Sequence, residues 1–188
     1  PYDIDNVRIR YTAKNNAKGY ARGIDMKING EFVKGLESWA SVSVSQTRED
    51  IKDDYYYDYT LYTNKVTGVV TKLDSTRVEP GYIPRPTDQL VTFAIFFQDQ
   101  IPQYPKFKVH LNLLFGSGIP FGAPGSPKYT QINRMPSYRR VDIGFSYQPL
   151  KENREIKPGS LSRYIKSAWI SLEVFNLLGI NNTVSYLW

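Results

Sequence analysis

An all-β chain, arranged as an antiparallel meander of about seven long strands, is what this sequence predicts, on three observations. Apolar and polar residues alternate with a period of two in seven separate stretches, which is the side-chain repeat of a strand with two unlike faces. Strand-favouring aromatics are abundant, with 15 Tyr, 9 Phe and 3 Trp in 188 residues, and no long helical pattern accompanies them. The connections between the stretches alternate long and short along most of the chain.

The first element sets Val7, Ile9 and Tyr11 against Arg8 and Arg10. Ile24, Met26 and Ile28 then alternate with Gly23, Asp25 and Lys27, and Leu36, Ala40, Val42 and Val44 share a face opposite Ser41, Ser43 and Ser45. Two longer stretches follow. In the first, Val91, Phe93, Ile95 and Phe97 oppose Thr92, Ala94 and Phe96; in the second, Phe107, Val109, Leu111, Leu113 and Phe115 oppose Lys108, His110, Asn112 and Leu114. The last two set Val141, Ile143, Phe145 and Tyr147 against Arg140, Asp142, Gly144 and Ser146, and Ala168, Ile170, Leu172 and Val174 against Trp169, Ser171 and Glu173.

Residues 49–86 and 116–137, rich in Tyr, Pro and Gly, read as long connections without regular structure throughout. A short turn is expected near Gln98–Pro105 and another within Asn29–Glu37, where Asn29-Gly30 and Lys34-Gly35 both offer turn chemistry. Lys151–Tyr164 breaks the alternation, being long and charged where a short turn is due, and reads as a solvated excursion. Pairing Phe97 with Phe107, Ile95 with Val109, Phe93 with Leu111 and Val91 with Leu113 makes one face of the central hairpin wholly apolar. The same register sets Phe96 against Lys108, Ala94 against His110 and Thr92 against Asn112. With no repeat or linker, the chain reads as one domain over residues 1–188.

Composition narrows the chemistry. The formal net charge is +6 and the basic residues are scattered singly, so nucleic acid is not an expected partner. The absence of Cys removes disulfides, thiolate metal sites and thiol nucleophiles, and the single His110 removes any multi-His metal site. No Asp/Glu cluster suits an oxygen-ligated metal, and no cofactor motif is present: Gly116-Ser117-Gly118 and Gly122-Ala123-Pro124-Gly125 lack the following helix that a phosphate cradle needs. Asp53 and Asp54 are paired carboxylates without a nucleophile or orienting partner, so the chain is not expected to be an enzyme. The longest apolar run, Val91–Phe97, is far short of a membrane helix. Pro1-Tyr2-Asp3-Ile4-Asp5 has none of the features of a signal peptide, which leaves a cytosolic protein or an excerpt of a longer one.

The apolar face has two possible neighbours: a second sheet in a soluble sandwich, or lipid around a barrel with the polar face inward. Val91–Gln100 and Lys106–Phe115 have the 9–11 residues of a tilted membrane-spanning strand. Long connections on one side and short turns on the other are a barrel trait, and Tyr11, Phe97, Phe107, Phe115, Tyr138, Tyr147 and Trp169 fall near strand ends where an interfacial girdle belongs. These points favour the barrel. A soluble all-β module that binds a glycan or protein is the alternative.

Five short segments sharpen this. Gly19-Tyr20-Ala21-Arg22-Gly23-Ile24-Asp25, Pro84-Arg85-Pro86-Thr87-Asp88-Gln89, Gly116-Ser117-Gly118-Ile119-Pro120-Phe121, Tyr138-Arg139-Arg140-Val141-Asp142 and Val174-Phe175-Asn176-Leu177-Leu178-Gly179, in that order, resemble the C-terminal barrel portion of TonB-dependent outer-membrane receptors in the style of the Bacteroidetes. The resemblance implies a 22-stranded transmembrane barrel, of which these segments would be strands 15 to 21, in the outer membrane of a Gram-negative cell. It also implies uptake of a scarce nutrient such as a glycan, peptide or metal chelate, with outer-membrane lipid, the protein's own plug domain, the TonB complex and a possible surface lipoprotein as partners. The family usually carries Asn-Leu-Phe-Asp where this chain has Asn176-Leu177-Leu178-Gly179, and plug and closing strand are absent, so an incomplete excerpt is expected.

Candidate residues fall in two groups. Tyr55, Tyr56, Tyr57, Tyr59 and Tyr62 combine flat apolar rings with hydroxyls and form a candidate ligand-contacting loop; folding over the barrel mouth or packing on a neighbouring loop is the simpler account. Lys27, Lys108, His110, Asn112, Arg140, Asp142 and Glu173 share the polar face and are candidates for the barrel lumen. Arg140 is expected across from Glu173 where the connection 151–164 permits that register, in an ion-pair ladder that holds the wall and touches the plug rather than a ligand, and His110 is expected to be an ordinary polar lumen residue, with pH sensing or ligand contact as the alternative.

Overall fold

The computed structural model describes residues 2–5, 8–11, 13–101, 103–151, 164–183 and 186, the first two segments by their backbone alone. The architecture is all-β and antiparallel. Its main element is one large sheet of six long strands in chain order: β3 (Ala17–Val33), β4 (Leu36–Ile51), β8 (Val91–Ile101), β9 (Tyr104–Gly116), β12 (Tyr138–Leu150) and β13 (Ala168–Val174). Each pairs with the next along the chain, so the sheet is a meander, and a two-residue strand β7 (Ile83–Pro84) adds to β4 beside Arg48 and Glu49.

The expected first strand is not part of this sheet. Its residues 8–11 form β2 (Arg8–Tyr11), which pairs with β1 (Tyr2–Asp5) in a separate hairpin with Tyr2 opposite Tyr11. Pairing between near neighbours closes the smallest loop, which wins for strands of four residues. Val7 lies outside the described residues.

The β3–β4 turn is made by Lys34-Gly35 rather than Asn29-Gly30. Gly35 has φ +79°, a left-handed conformation that costs a residue without Cβ nothing, and its N–H donates to Glu31 Oε2 at 2.9 Å. The β8–β9 register also differs from the sequence reading: Phe97 faces Leu111, Ile95 faces Leu113 and Phe93 faces Phe115. Gln98, Asp99 and Gln100, expected in the turn, instead continue the ladder opposite His110, Val109 and Lys108, and a bulge at Ile101 and Tyr104 closes a tighter connection. An even shift leaves every side chain on its face, so the division into apolar and polar sides holds although the partners change.

The connection 49–86 is more regular than expected. Beyond the end of β4 it contains a hairpin of β5 (Tyr56–Thr63) and β6 (Val70–Val78). The connection 116–137 contains β10 (Pro120–Phe121) paired with β11 (Asn133–Arg134), with a 3₁₀ turn at Lys128–Thr130 between them. Of the excursion 151–164, residues 152–163 lie outside the described residues.

Packing is the unusual feature. Among the described residues only Leu36 and Ile83 are buried hydrophobics, while the apolar face is open: Ile24 is 70% exposed, Met26 60% and Leu172 68%. The accessible surface is 14079 Å², against the roughly 9,200 Å² that a self-contained monomer of 21.6 kDa presents. No second layer of described residues covers the sheet.

Candidate functional site

The two faces of the sheet are built differently. On one face the ladder aligns Ile24, Val44 and Val91, then Met26, Val42, Phe93 and Phe115, then Ile143 with Leu111 and Val174, and Phe145 with Val109 and Leu172. Towards the short turns this face ends in aromatics: Phe107 stacks on Tyr147 at 4.5 Å and meets Tyr104 edge-on at 6.4 Å. Towards the long connections it ends in polar pairs, Arg22 opposite Gln46 and Tyr20 opposite Arg48. Tyr138 and Trp169, expected in the aromatic girdle, sit on the opposite face. Arg140 donates to the Tyr138 hydroxyl at 3.3 Å, and Lys108 Nζ lies 4.7 Å from the Trp169 ring centre.

That opposite face carries all seven lumen candidates, and most are engaged with one another. Lys27 Nζ lies 5.3 Å from the Trp39 ring, Trp39 stacks on Phe96, Phe96 contacts His110 at 5.8 Å, and His110 Nε2 is 3.7 Å from Glu173 Oε1. This row crosses the sheet from β3 to β13. It is possible because Gly144, between His110 and Glu173, has no side chain: the imidazole occupies the space a Cβ there would need.

Arg140 does not reach Glu173, contrary to expectation, because the register sets Gly144 opposite Glu173. Arg140 instead binds Asp142 on its own strand, with Nη2 at 2.9 Å and Nε at 3.0 Å. Asp142 is 5% exposed and collects three donors: Arg140, Asn112 Nδ2 at 3.4 Å and the Asn176 N–H at 2.9 Å. The last of these anchors the chain after β13. Asn176-Leu177-Leu178-Gly179 forms a turn in which Gly179 has φ +60° and donates to the Asn176 carbonyl, and Asn182 then bonds both backbone groups of Arg139.

The tyrosine cluster is divided by the pleat of β5. Tyr55, Tyr57 and Tyr59 share one side, with ring centres 5.8 and 6.4 Å apart; Arg77 lies over Tyr55 at 4.2 Å and Lys72 over Tyr59 at 4.0 Å. Tyr56 and Tyr62 take the other side, and Tyr56 stacks on Tyr129 of the second long connection at 4.7 Å. Beside that stack, burial pushes the Asp54 carboxyl above its usual range, partly offset by the positive charge of Lys128. All five rings are at least a third exposed.

A clamp that the sequence reading did not single out holds these loops to the sheet. Asp88 is 1% exposed; its Oδ1 accepts the Thr47 N–H and its Oδ2 pairs with Arg134. Arg134 also donates to the carbonyls of Asp88 at 2.8 Å and Gly118 at 2.9 Å, so one guanidinium ties both long connections to β4. The available signal was an acid inside Pro84-Arg85-Pro86-Thr87-Asp88-Gln89, where the prolines fix the backbone and leave a nearby acid to supply the acceptor.

Among the described residues no three His, Cys, Asp or Glu side chains converge on a metal-sized site. Comparisons with protein-family models, with curated proteins and with solved structures found no match to this chain.

Proposed function

We propose that this chain is wall and outer-loop structure of a TonB-dependent outer-membrane receptor, an importer of a scarce nutrient such as a glycan, peptide or metal chelate. The carrying observation is the single-layer sheet whose apolar face has no described residue over it while its polar face satisfies itself laterally. An uncovered patch of that kind is rare on a soluble monomer, and acyl chains remove its cost. The dimensions agree: the 11 residues of β8, at 3.3 Å each and tilted by 45°, rise about 26 Å, near the height of an outer-membrane apolar band.

In this reading β3 and β13 adjoin further strands of a 22-stranded barrel, since an unpaired backbone group in hydrocarbon costs several kcal/mol. The polar row from Lys27 to Glu173 lines the lumen against a plug domain, TonB supplies the energy for gating, and the tyrosine hairpin and the clamped loops meet ligand or a surface lipoprotein. Fractionation of the full-length protein tests this: it should stay with the outer membrane after carbonate washing, and recovery in the soluble fraction without detergent would defeat the reading. A paired substitution tests orientation. Leu111→Arg should cost about 2–4 kcal/mol, or roughly 30- to 900-fold in the folded-to-unfolded ratio, whereas Ser43→Arg on the other face, opposite Asp25 and Thr92, should change it little.

A further inference from the structure

The β5–β6 hairpin sorts its charges by face. Its ladder sets Arg77 opposite Tyr57 and Lys72 opposite Leu61, while Thr76 lies opposite Asp58 and Asp74 opposite Thr60. Alternation therefore puts both cations of the two strands on the side of Tyr57, Tyr59 and Leu61, and both carboxylates on the side of Tyr56. Opposite charges on one face would stabilise the hairpin by pairing across its strands, and this arrangement forgoes that gain. The acidic side is turned towards the second long connection, through the Tyr56 stack on Tyr129. The cationic side is turned away from it.

On that side the cations rest on rings. Arg77 lies 4.2 Å from the Tyr55 ring centre and Lys72 4.0 Å from that of Tyr59, and Arg77 Nη2 is 2.9 Å from Glu79 Oε1 just beyond β6. Both members of this ion pair are well exposed, so it competes weakly with a carboxylate brought by another molecule. At the far end of the hairpin the connection 64–69 is bonded into one shape. Asn64 Oδ1 accepts the N–H groups of Val66 and Thr67 at 2.9 and 3.2 Å, the Asn64 carbonyl accepts the Gly68 N–H at 2.8 Å, and the Asn64 N–H donates to the Val69 carbonyl at 2.9 Å. This fixed turn and the strand ends beside it carry apolar side chains into solvent: Val66 is 93% exposed, Leu73 65% and Leu61 57%. Between Leu61 and Leu73 the only charged residues are Lys65 and Lys72.

We propose that this side of the hairpin and its tip dock a protein partner whose contact surface is an apolar strip edged by carboxylates. The proposal deepens the importer reading and rests on it for the hairpin's place outside the membrane. Charge complementarity selects an acidic occupant, and the apolar tip gives that occupant something to bury. Tyrosines supply contact area at little conformational cost, and a turn already bonded in shape has little left to order on binding. Stacked sugars fit this side less well, because Tyr55 and Tyr59 each carry a cation over the ring and Tyr55 meets Tyr57 edge-on at 87°.

Binding to the full-length detergent-solubilised protein tests it, with four fluorescent probes: a short capped peptide alternating Glu and Val, the same peptide with Lys for Glu, polygalacturonate, and lipopolysaccharide. The acidic peptide should bind most tightly. The Lys72→Gln, Arg77→Gln double variant should weaken it about 2- to 30-fold, as expected for two exposed charge pairs, and exchanging the two cations as Lys72→Arg, Arg77→Lys should retain binding. Val66→Ser should weaken it through the tip, whereas Asp58→Asn with Asp74→Asn on the other side should leave it unchanged or tighten it. Equal affinity for the acidic and basic peptides, no binding of the acidic peptide, or full binding in the double variant would overturn the proposal. So would polygalacturonate or lipopolysaccharide displacing the acidic peptide at comparable concentration, since the site would then belong to an acidic glycan or to the membrane surface. A membrane-bound protein without the acidic preference refutes this inference alone; a soluble protein that keeps it refutes the importer reading alone.

Discussion

Replacing Asp88 by Ala removes a carboxylate that joins the segment before β8 and the connection 116–137 to β4. Two groups lose their acceptor at once: the Thr47 N–H, and the Arg134 guanidinium, whose side chain is 29% exposed. Removing one partner of a fully buried ion pair costs about 3–5 kcal/mol, and an orphaned amide about 1–3 kcal/mol. Arg134 keeps two carbonyl acceptors and some access to water, which places the combined cost near the bottom of the first range, about 3 kcal/mol. Because the long β3–β4 and β8–β9 ladders do not pass through Asp88, the loss is local: the opening equilibrium of the clamped segments should rise roughly 150-fold. Hydrogen exchange followed by mass spectrometry reads this directly. Peptides covering Thr47, 83–90 and 117–134 should lose about two decades of protection, and those covering 107–113 should lose none. Asp88→Asn, which keeps an acceptor for Thr47 but not the charge, should fall between. Unchanged protection at Thr47 in Asp88→Ala would refute the clamp.

Two further outcomes concern the outer loops. Tyr56→Ala removes the stack on Tyr129, worth about 0.5–1.5 kcal/mol beyond its buried area, so proteolytic cutting within 122–132 should speed roughly two- to tenfold; no change would show that the loops are not held together there. Burial raises the Asp54 carboxyl above 3.8, so its charged form opposes the folded loop at neutral pH and protonation favours it as pH falls from the raised value towards 3.8. Asp54→Asn should therefore increase exchange protection of the turn at Ile51–Asp54 at neutral pH and flatten its pH response, as measured by amide exchange at several pH values.

What was legible in the sequence followed from a period of two, and what was not followed from its limits. Val91–Phe97 and Phe107–Phe115 declare strands and faces because one side is uniformly apolar. That uniformity is also why register was out of reach: Phe97 meets an apolar partner at Phe107 or at Leu111, and only backbone pairing through Gln98–Gln100 decides for Leu111. The β5–β6 hairpin was hidden for the opposite reason. Both of its faces are exposed, so Tyr55–Tyr62 has no apolar–polar alternation to read, and tyrosine fits either side. Arg140 and Glu173 sit on adjacent strands of one face as expected, but a bulge between Tyr147 and Leu150 and the length of 151–164 left their relative height undetermined by sequence. Asp88 was missed because a single acid among prolines has no periodicity.

The contrast between the faces carries the functional argument further than charge does. On the polar face, Lys27, Lys108, His110, Arg140, Asp142 and Glu173 each have a ring or an oppositely charged partner on the same side, and Gly144 is the vacancy that lets the transverse row close. Such a face is satisfied by its own side chains. The apolar face cannot complete itself in that way, because hydrocarbon has nothing to exchange with a neighbour on the same side, and no described residue covers it. On the hairpin, the Tyr55, Tyr57 and Tyr59 side carries Lys72 and Arg77 over its rings, while the Tyr56 side is stacked on Tyr129.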